Sequence, residues 1–306
     1  MQEFHFLITE EYESERLDKA LSELTDDTVS RTYLQKLIKE NHVYVNEKAQ
    51  KASYKLKVDD TVSFNIPDQE EPDIIPQDMG LDILYEDEDV IVVNKPKDMV
   101  VHPAAGHFEH TLVNGLLFHC KDSLSGINGV LRPGIVHRID KDTTGSIIAC
   151  KNDFSHKAIA EQLKEHSITR KYRAICAGII KEDNGIIDAP IGRDEKDRKK
   201  MAVNHKNGKR AVTHYRVLER FKDYTYIECQ LETGRTHQIR VHMASIGHPL
   251  LGDSVYSSRK WPFSLDGQTL HAYILGFAHP KSGKYIETEA PLPAYFVQLL
   301  DKLRKM

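Results

Sequence analysis

Residues 134–150 read GIVHRIDKDTTGSIIAC, and the rest of the chain is organised around them. Two short apolar runs enclose His137, Arg138, Asp140, Lys141 and Asp142, followed by the turn sequence Thr143-Thr144-Gly145. Apolar runs of this length with turn signals between them predict buried strands, with the charges on a tight connection beside the core. Asp140 is the candidate chemical centre. A carboxylate held against Arg138 or another cation stays ionised and can serve as nucleophile or base. The same cluster also reads as a salt-bridged turn, so the choice rests on what the remaining chain supplies.

At 306 residues the chain is long enough for a sizeable core and two domains. No apolar run reaches the ~18 residues needed to span a bilayer, and the first residues lack the basic start and apolar middle of a secretory signal. A cytoplasmic protein without a membrane partner is expected. Cys120, Cys150, Cys176 and Cys229 form no CxxC pair. Metal and disulfide readings therefore fail on spacing, and the four are expected as small core residues. The net charge of −4 conceals segregation. Acid collects over residues 68–89, while base collects over residues 193–210 and on Arg31, Lys36 and Lys39.

Upstream, alternating Phe4, Phe6 and Ile8 predict a strand. Leu17, Ala20, Leu21 and Leu24 predict a helix, and a second one starts behind Ser30 with Leu34, Leu37 and Ile38 inward. Arg31, Lys36 and Lys39 cannot share that apolar face, so they point to solvent. Residues 43–46 and 58–66 read as strands with a turn near Asn46. This compact module, RLDKALSEL…SRTYLQKLIKENHVYVN…VDDTVSF over about residues 14–66, resembles the αL (S4-type) RNA-binding module of a small-subunit ribosomal protein and of tyrosyl-tRNA synthetase tails. On charge alone, the basic helix face also reads as ordinary solvated surface. Residues 67–80, rich in proline and acid, read as an extended linker.

From residue 81 the pattern predicts a hairpin over residues 83–93, a helix from Thr111, and a helix capped by Asp153 or Ser155 and running to His166. A strand over residues 171–175 follows, then an exposed basic loop or hairpin and a strand pair over 211–220 and 224–231. In residues 232–247, ETGRTHQIRVHMASIG, Thr236 can cap a helix and Gly247 can close it. His237 and His242 lie about 140° apart on such a helix, so they cannot chelate one metal together. A strand over residues 270–277 and a closing helix over residues 294–304 complete the chain. Hairpins dominate, which favours α+β with a mostly antiparallel mixed sheet flanked by helices. No GxGxxG or GxxxxGK[ST] run supports a nucleotide cofactor.

Three charged stretches now stand together: Asn94-Lys95-Pro96, HRIDKD at 137–142 and GRTHQIR at 234–240. This combination resembles the RluA-type family of pseudouridine synthases, in particular the RluD-like branch that also carries an αL module and modifies large-subunit (23S) ribosomal RNA. The resemblance covers about residues 14–290, and HR[LI]DxxT[ST]G with GRxHQ[IL]R is specific as a pair. It implies an αL domain over residues 1–66, a linker over 67–80 and a pseudouridine synthase domain over 81–306. It also implies that Asp140 is the catalytic aspartate, that Arg240 pairs with it, that Tyr172 stacks on the target uracil, and that Arg138 fills the stack the base has left. Arg31, Lys36, Lys39 and Arg235 are weaker candidates for RNA contact. Lys97-Asp98 departs from the family's usual alanine and glycine after the proline.

The chemistry fits these residues. Isomerising uridine breaks the C1′–N1 bond and joins C5 to C1′, with no redox change, cofactor or metal required. The expected partner is RNA, and the chain is expected to be a monomer. Two other readings are a non-catalytic RNA-binding or ribosome-assembly protein and a metal-dependent hydrolase. The second of these is disfavoured by histidine spacing.

Overall fold

Strand β1 (Gln2–Leu7) opens the chain, followed by helices α1 (Leu17–Leu24) and α2 (Arg31–Lys39) and strands β2 (Val43–Val45), β3 (Lys48–Ala49) and β4 (Thr61–Ile66). This is the computed structural model of the chain, and it describes residues 2–25, 29–66, 74–103, 107–121, 123–129, 132–195, 197 and 200–306. The four strands form an antiparallel sheet in the order β1-β4-β2-β3. The predicted inner positions, Leu17, Ala20, Leu21, Leu34, Leu37 and Ile38, pack against Val43, Val45, Val62 and Phe64. Each such aliphatic side chain removed from water contributes about 1.5–3 kcal/mol, enough in sum to hold a small sheet and two short helices together. Ser30 caps α2 as expected, its Oγ accepting the Tyr33 N–H at 3.3 Å.

The most deeply buried polar group described in this unit is a carboxylate. Asp18 is fully buried on α1 and accepts hydrogen bonds from Arg16 Nε at 2.9 Å, Arg31 Nε at 3.0 Å and Gln35 Nε2 at 2.6 Å. Burial would raise its carboxyl pKa, but these donors more than offset that and hold it down at about 2.

The chain divides into two compact units, Met1–Glu71 and Pro72–Met306. Of the stretch read as linker, residues 67–73 lie outside the described residues, and residues 74–80 lie on the second unit. Ile74 and Met79 pack against its core, the Gln77 N–H donates to Asn114 O at 3.0 Å, and Gln77 Oε1 accepts the His110 N–H at 2.7 Å. Apolar side chains set among the acid and proline give this segment something to bury.

The second unit continues with β5 (Ile83–Glu86), β6 (Val90–Lys95), α3 (Leu112–Cys120), β7 (Thr144–Cys150), α4 (Asp153–Lys164) and β8 (Thr169–Ala177). Then come β9 (Asn184–Asp188), β10 (Ile191–Arg193), β11 (Met201–Val203), β12 (Val212–Arg220) and β13 (Tyr224–Leu231). Helix α5 (Gln238–Ser245), β14 (Leu270–Ala278), β15 (Tyr285–Glu289) and α6 (Ala294–Arg304) close the chain. Among the described residues, nine strands form one sheet in the order β5-β6-β7-β14-β8-β13-β12-β9, with β15 also on β14. Among the described strands only β7 and β14 pair in parallel. This is the α+β architecture with a mostly antiparallel mixed sheet that the pattern predicts. All four cysteines are buried and unpaired.

That single parallel junction carries residue 140. Gly145, at φ 105°, sits where a Cβ would collide with the Ala272 carbonyl, so glycine lets β7 and β14 approach. Beside it, Thr144 Oγ1 and His271 Nδ1 are 2.8 Å apart, and His271 Nε2 lies 3.0 Å from Ala290 O. The preceding apolar run differs from expectation. Among the described residues of this run only Ile135 bridges to the sheet, at Ala149, and residues 136–140 are irregular, with the Asp140 carbonyl accepting the Thr143 N–H in the turn that follows. Two helix starts also differ. Asn152, rather than Asp153 or Ser155, caps α4 by accepting the Ser155 N–H. His237, in the left-handed region at φ 57°, stands where Thr236 is expected to cap α5.

Candidate active site

Asp140 sits at the end of the irregular segment, just before the turn into β7, with its side chain 19% exposed. Two groups hold this segment. His137 Nε2 accepts the Ile148 N–H at 3.1 Å, so the imidazole is a neutral prop for β7, and desolvation pushes its pKa down to about 3. Lys95, at the end of β6, is fully buried. It donates all three ammonium protons to carbonyls: Pro96 O at 2.8 Å, Met99 O at 2.9 Å and Lys141 O at 2.8 Å. The last of these ties the Asn94-Lys95-Pro96 stretch to the residue that follows Asp140.

From the other side, α5 supplies Arg240. Its Nη1 donates to Asp140 Oδ2 at 2.9 Å, while Nε and Nη2 donate to Asp253 Oδ2 and Oδ1 at 2.7 and 3.0 Å. Burial alone would lower the guanidinium pKa, but Asp253 and Asp140 outweigh it and hold Arg240 firmly charged. Asp140 Oδ1 has no hydrogen bond among the described residues. His237 Nε2 lies 3.8 Å from it. His237 Nδ1 meets Tyr256 Oη at 2.7 Å, and that oxygen also accepts the Met201 N–H at 3.1 Å. Burial lowers the His237 pKa, against the pull of Asp140. The neutral tautomer that fits takes its proton on Nε2, towards Asp140, and accepts the Tyr256 hydroxyl at Nδ1.

The loop before α5 is fixed by Gln238. Its Oε1 accepts from Thr233 Oγ1 at 2.8 Å and from the Arg235 N–H at 3.0 Å, and its Nε2 donates to Val212 O at 2.9 Å and Thr213 Oγ1 at 3.0 Å. Every polar atom of that buried amide is engaged, which locks the GRTHQIR run onto β12.

Asp140, Arg240, Arg138 and Tyr172 line one cavity of about 490 Å³, together with Arg235, His237 and Ile239. The structure therefore brings together five of the residues singled out from sequence. Tyr172 is buried on β8, and Arg138 is exposed at the rim. Arg235 donates Nε to Arg210 O at 3.0 Å, so part of its fork serves the loop. The other three candidates belong to the first unit. Lys36 and Lys39 are exposed on α2, whereas Arg31 directs its guanidinium at the buried Asp18. Of the basic stretch, residues 196, 198 and 199 lie outside the described residues, and its flanks form the β10–β11 hairpin.

Asp253, Tyr256 and Arg170 also belong to this site, and sequence reasoning missed them. Asp253 follows Gly252 in a plain loop with no local signal beyond a lone carboxylate. Arg170, by contrast, lies two residues before Tyr172 on one strand, so period-two spacing puts both on the same face.

The catalytic unit and the small unit both have known counterparts. The sequence model described as RNA pseudouridylate synthase matches residues 89–245, and the S4 domain matches residues 15–62. The chain is 55% identical over 305 residues to the uncharacterized RNA pseudouridine synthase YlyB of Bacillus subtilis, covering 100% of this chain and 99% of the relative. It is 48% identical to ribosomal large subunit pseudouridine synthase D of Zymomonas mobilis, covering 97% and 96%. Among solved structures, human RNA pseudouridylate synthase domain containing 4 aligns with a TM-score of 0.58 at 26% identity, covering 73% of this chain and 93% of that one.

The mixed sheet with its carboxylate–arginine cavity, in a chain that also carries an S4 domain, is of the class of RNA-modifying isomerases that these matches name. The chain belongs to the RNA pseudouridine synthase family, in its RluA-type, RluD-like branch with an S4 domain. It converts uridine to pseudouridine in RNA.

Proposed function

We propose that the chain isomerises specific uridines of large-subunit ribosomal RNA, with Asp140 as the nucleophile. The observation that carries this reading is the single hydrogen bond from Arg240 to Asp140 Oδ2. It leaves Oδ1 free over a cavity that Tyr172 also lines. A carboxylate so held is aimed, and its second oxygen is available to the substrate. The uridine leaves its stack and rests its base on Tyr172, while Arg138 at the rim fills the vacated place. Asp140 Oδ1 forms a transient bond to the nucleoside as the C1′–N1 bond breaks, the uracil turns, C5 joins C1′ and the bond to Asp140 breaks again, while the C5 proton departs and N1 gains one. The balance requires no outside group.

The domain plan that accompanies this reading assigns residues 1–66 to RNA capture, 67–80 to the connection and 81–306 to catalysis. Lys36, Lys39 and Arg235 supply phosphate contacts, and a monomeric, cytoplasmic chain suffices for the work. Large-subunit ribosomal RNA is favoured over other RNA by relatives named as ribosomal large subunit pseudouridine synthase D.

Tritium release from C5-labelled uridine in a large-subunit RNA transcript tests the reading. Wild-type protein releases tritium, and Asp140→Asn releases none while still binding the RNA. Normal release by that variant would return Asp140 to the salt-bridged turn. Mapping pseudouridines in ribosomal RNA from cells lacking the protein identifies the positions.

A further inference from the structure

Burying an arginine is costly unless a carboxylate or another anion compensates its charge. The other arginines set deep in this unit meet that condition: Arg240 has Asp253 and Asp140, and Arg173 has Glu228 at 3.1 Å. Arg170 does not. It is 6% exposed, and no carboxylate oxygen stands within 4.0 Å of it among the described residues. Its Nη2 donates to the Glu232 carbonyl at 3.1 Å, and its buried Nε has no partner. The Glu232 carboxylate itself is turned to His214 at 2.7 Å and Arg210 at 3.6 Å.

Arg170 lines the same cavity as Asp140 and Tyr172, whose lining also includes Lys164, His166 and Arg235. A side chain on Gly234 would cover it: a Cβ there would lie 2.7 Å from Arg170 Nη1. The glycine of the GRTHQIR run thus leaves this guanidinium open from above. Arg170 and Tyr172 are two residues apart on one strand face, roughly 6.6 Å along it. A base resting on Tyr172 therefore carries its ribose-linked phosphate into reach of Arg170.

We propose that Arg170 is the phosphate-binding residue of the pocket, taking a backbone phosphodiester that flanks the everted uridine and so completing its missing anion. The inference rests on the reading of this cavity as the uridine site. A planar fork with unused donors suits a phosphodiester, which accepts two parallel N–H bonds. In this arrangement the two ends of the nucleotide are held separately, the phosphate by Arg170 and the base by Tyr172, and C1′ lies between them.

The test pairs two changes. A uridine stem–loop from large-subunit RNA is made with normal linkages and with a neutral methylphosphonate at each linkage flanking the modified uridine. Each is given to wild type, Arg170→Lys and Arg170→Met, with RNA affinity and single-turnover tritium release both read. One methylphosphonate should cost the wild type about ten- to a hundredfold in affinity, the scale of a hydrogen bond to a charged group. Arg170→Met should lose as much with normal RNA and under threefold more with that methylphosphonate, and Arg170→Lys should recover part of the loss. Equal methylphosphonate penalties in wild type and Arg170→Met would overturn the assignment, and so would wild-type affinity in Arg170→Met. Gly234→Ala, which covers Nη1 without removing it, should reproduce the Arg170→Met pattern. If the wild type releases no tritium from any RNA, the uridine reading itself fails, while the paired affinities still decide whether Arg170 holds a phosphate.

Discussion

Arg240 turns the two donors of its fork on Asp253, Nε at 2.7 Å from Oδ2 and Nη2 at 3.0 Å from Oδ1, and keeps Nη1 for Asp140. Asp253 is itself immobilised, since its Oδ1 also accepts the N–H groups of Val255 at 2.9 Å and Tyr256 at 3.1 Å. The guanidinium is thereby oriented from behind, and Asp140 receives one directed donor from a cation that cannot swing away. The Arg240 guanidinium also lies over the Tyr256 ring, 5.1 Å from its centre, which fixes the remaining rotation.

Removing the charge of Asp253 should therefore act on catalysis without touching the substrate. Asp253→Asn keeps the shape but loses the charge-assisted bidentate pair, so Arg240 is free to share itself differently with Asp140. We expect single-turnover tritium release to fall about ten- to a hundredfold, the scale of a missing charged hydrogen bond, while RNA affinity changes less than threefold. Wild-type rates in this variant would show that Arg240 needs no backing.

Asp18 gives the first unit a defined acid limit. Its carboxyl is held near 2, below its unfolded value of about 3.9, so the folded state loses the proton more readily than the unfolded one. The resulting stability, on the order of 2 kcal/mol, is complete above about pH 4 and drains away as the pH falls through about 2. Hydrogen exchange of α1 amides in the full chain reads this directly. Asp18→Asn should exchange faster at neutral pH and lose most of the wild-type acceleration between pH 4 and pH 2. Parallel acid responses in the two proteins would remove Asp18 as the cause.

Lys95 should be a strut rather than a substrate contact. Lys95→Met preserves length but strands the carbonyls of Pro96, Met99 and Lys141, each worth about 1–3 kcal/mol when left unpaired. The second unit should lose about 3 kcal/mol or more in denaturant unfolding, followed at its lone Trp261. Tritium release should fall with it, because the Asp140 turn loses its tether. A variant that unfolds normally and stays inactive would instead place Lys95 in the chemistry.

Periodicity and turn chemistry made most of the fold legible. The two helices behind Ser30 and Arg16, the 83–93 hairpin and the 212–231 strand pair all follow from local pattern, because each buries one face of a regular repeat. What stayed hidden depends on partners distant in sequence. Asn152 won the α4 cap from Asp153 because its carbonyl oxygen reaches the Ser155 N–H while its amide reaches Asp89 at 2.9 Å, a bond across 63 residues. The run from Ile135 could not continue as a strand because the Ile148 N–H is taken by His137. Asp253 and Arg170 carry no motif of their own. Their roles come from a guanidinium thirteen residues away on α5 and from the bare Gly234, and only folding brings these together.

The basic face of α2 divides into two classes, and RNA binding should separate them. Arg31 is committed to Asp18 at 2.9 Å, whereas Lys36 has a side chain 61% exposed, with Glu40 at 4.0 Å, and Lys39 is exposed at the helix end. Neutralising Lys36 and Lys39 together should weaken affinity for a large-subunit RNA fragment. It should also lower the slope of log affinity against log salt by about 0.7 for each single-strand phosphate that is no longer neutralised. Arg31→Gln should leave that slope nearly unchanged and show itself as faster amide exchange in α1 and α2, because it strips a donor from a buried carboxylate. If Arg31→Gln reduces the salt slope as much as the lysine pair does, its guanidinium leaves Asp18 for RNA, and the first unit rearranges when it binds.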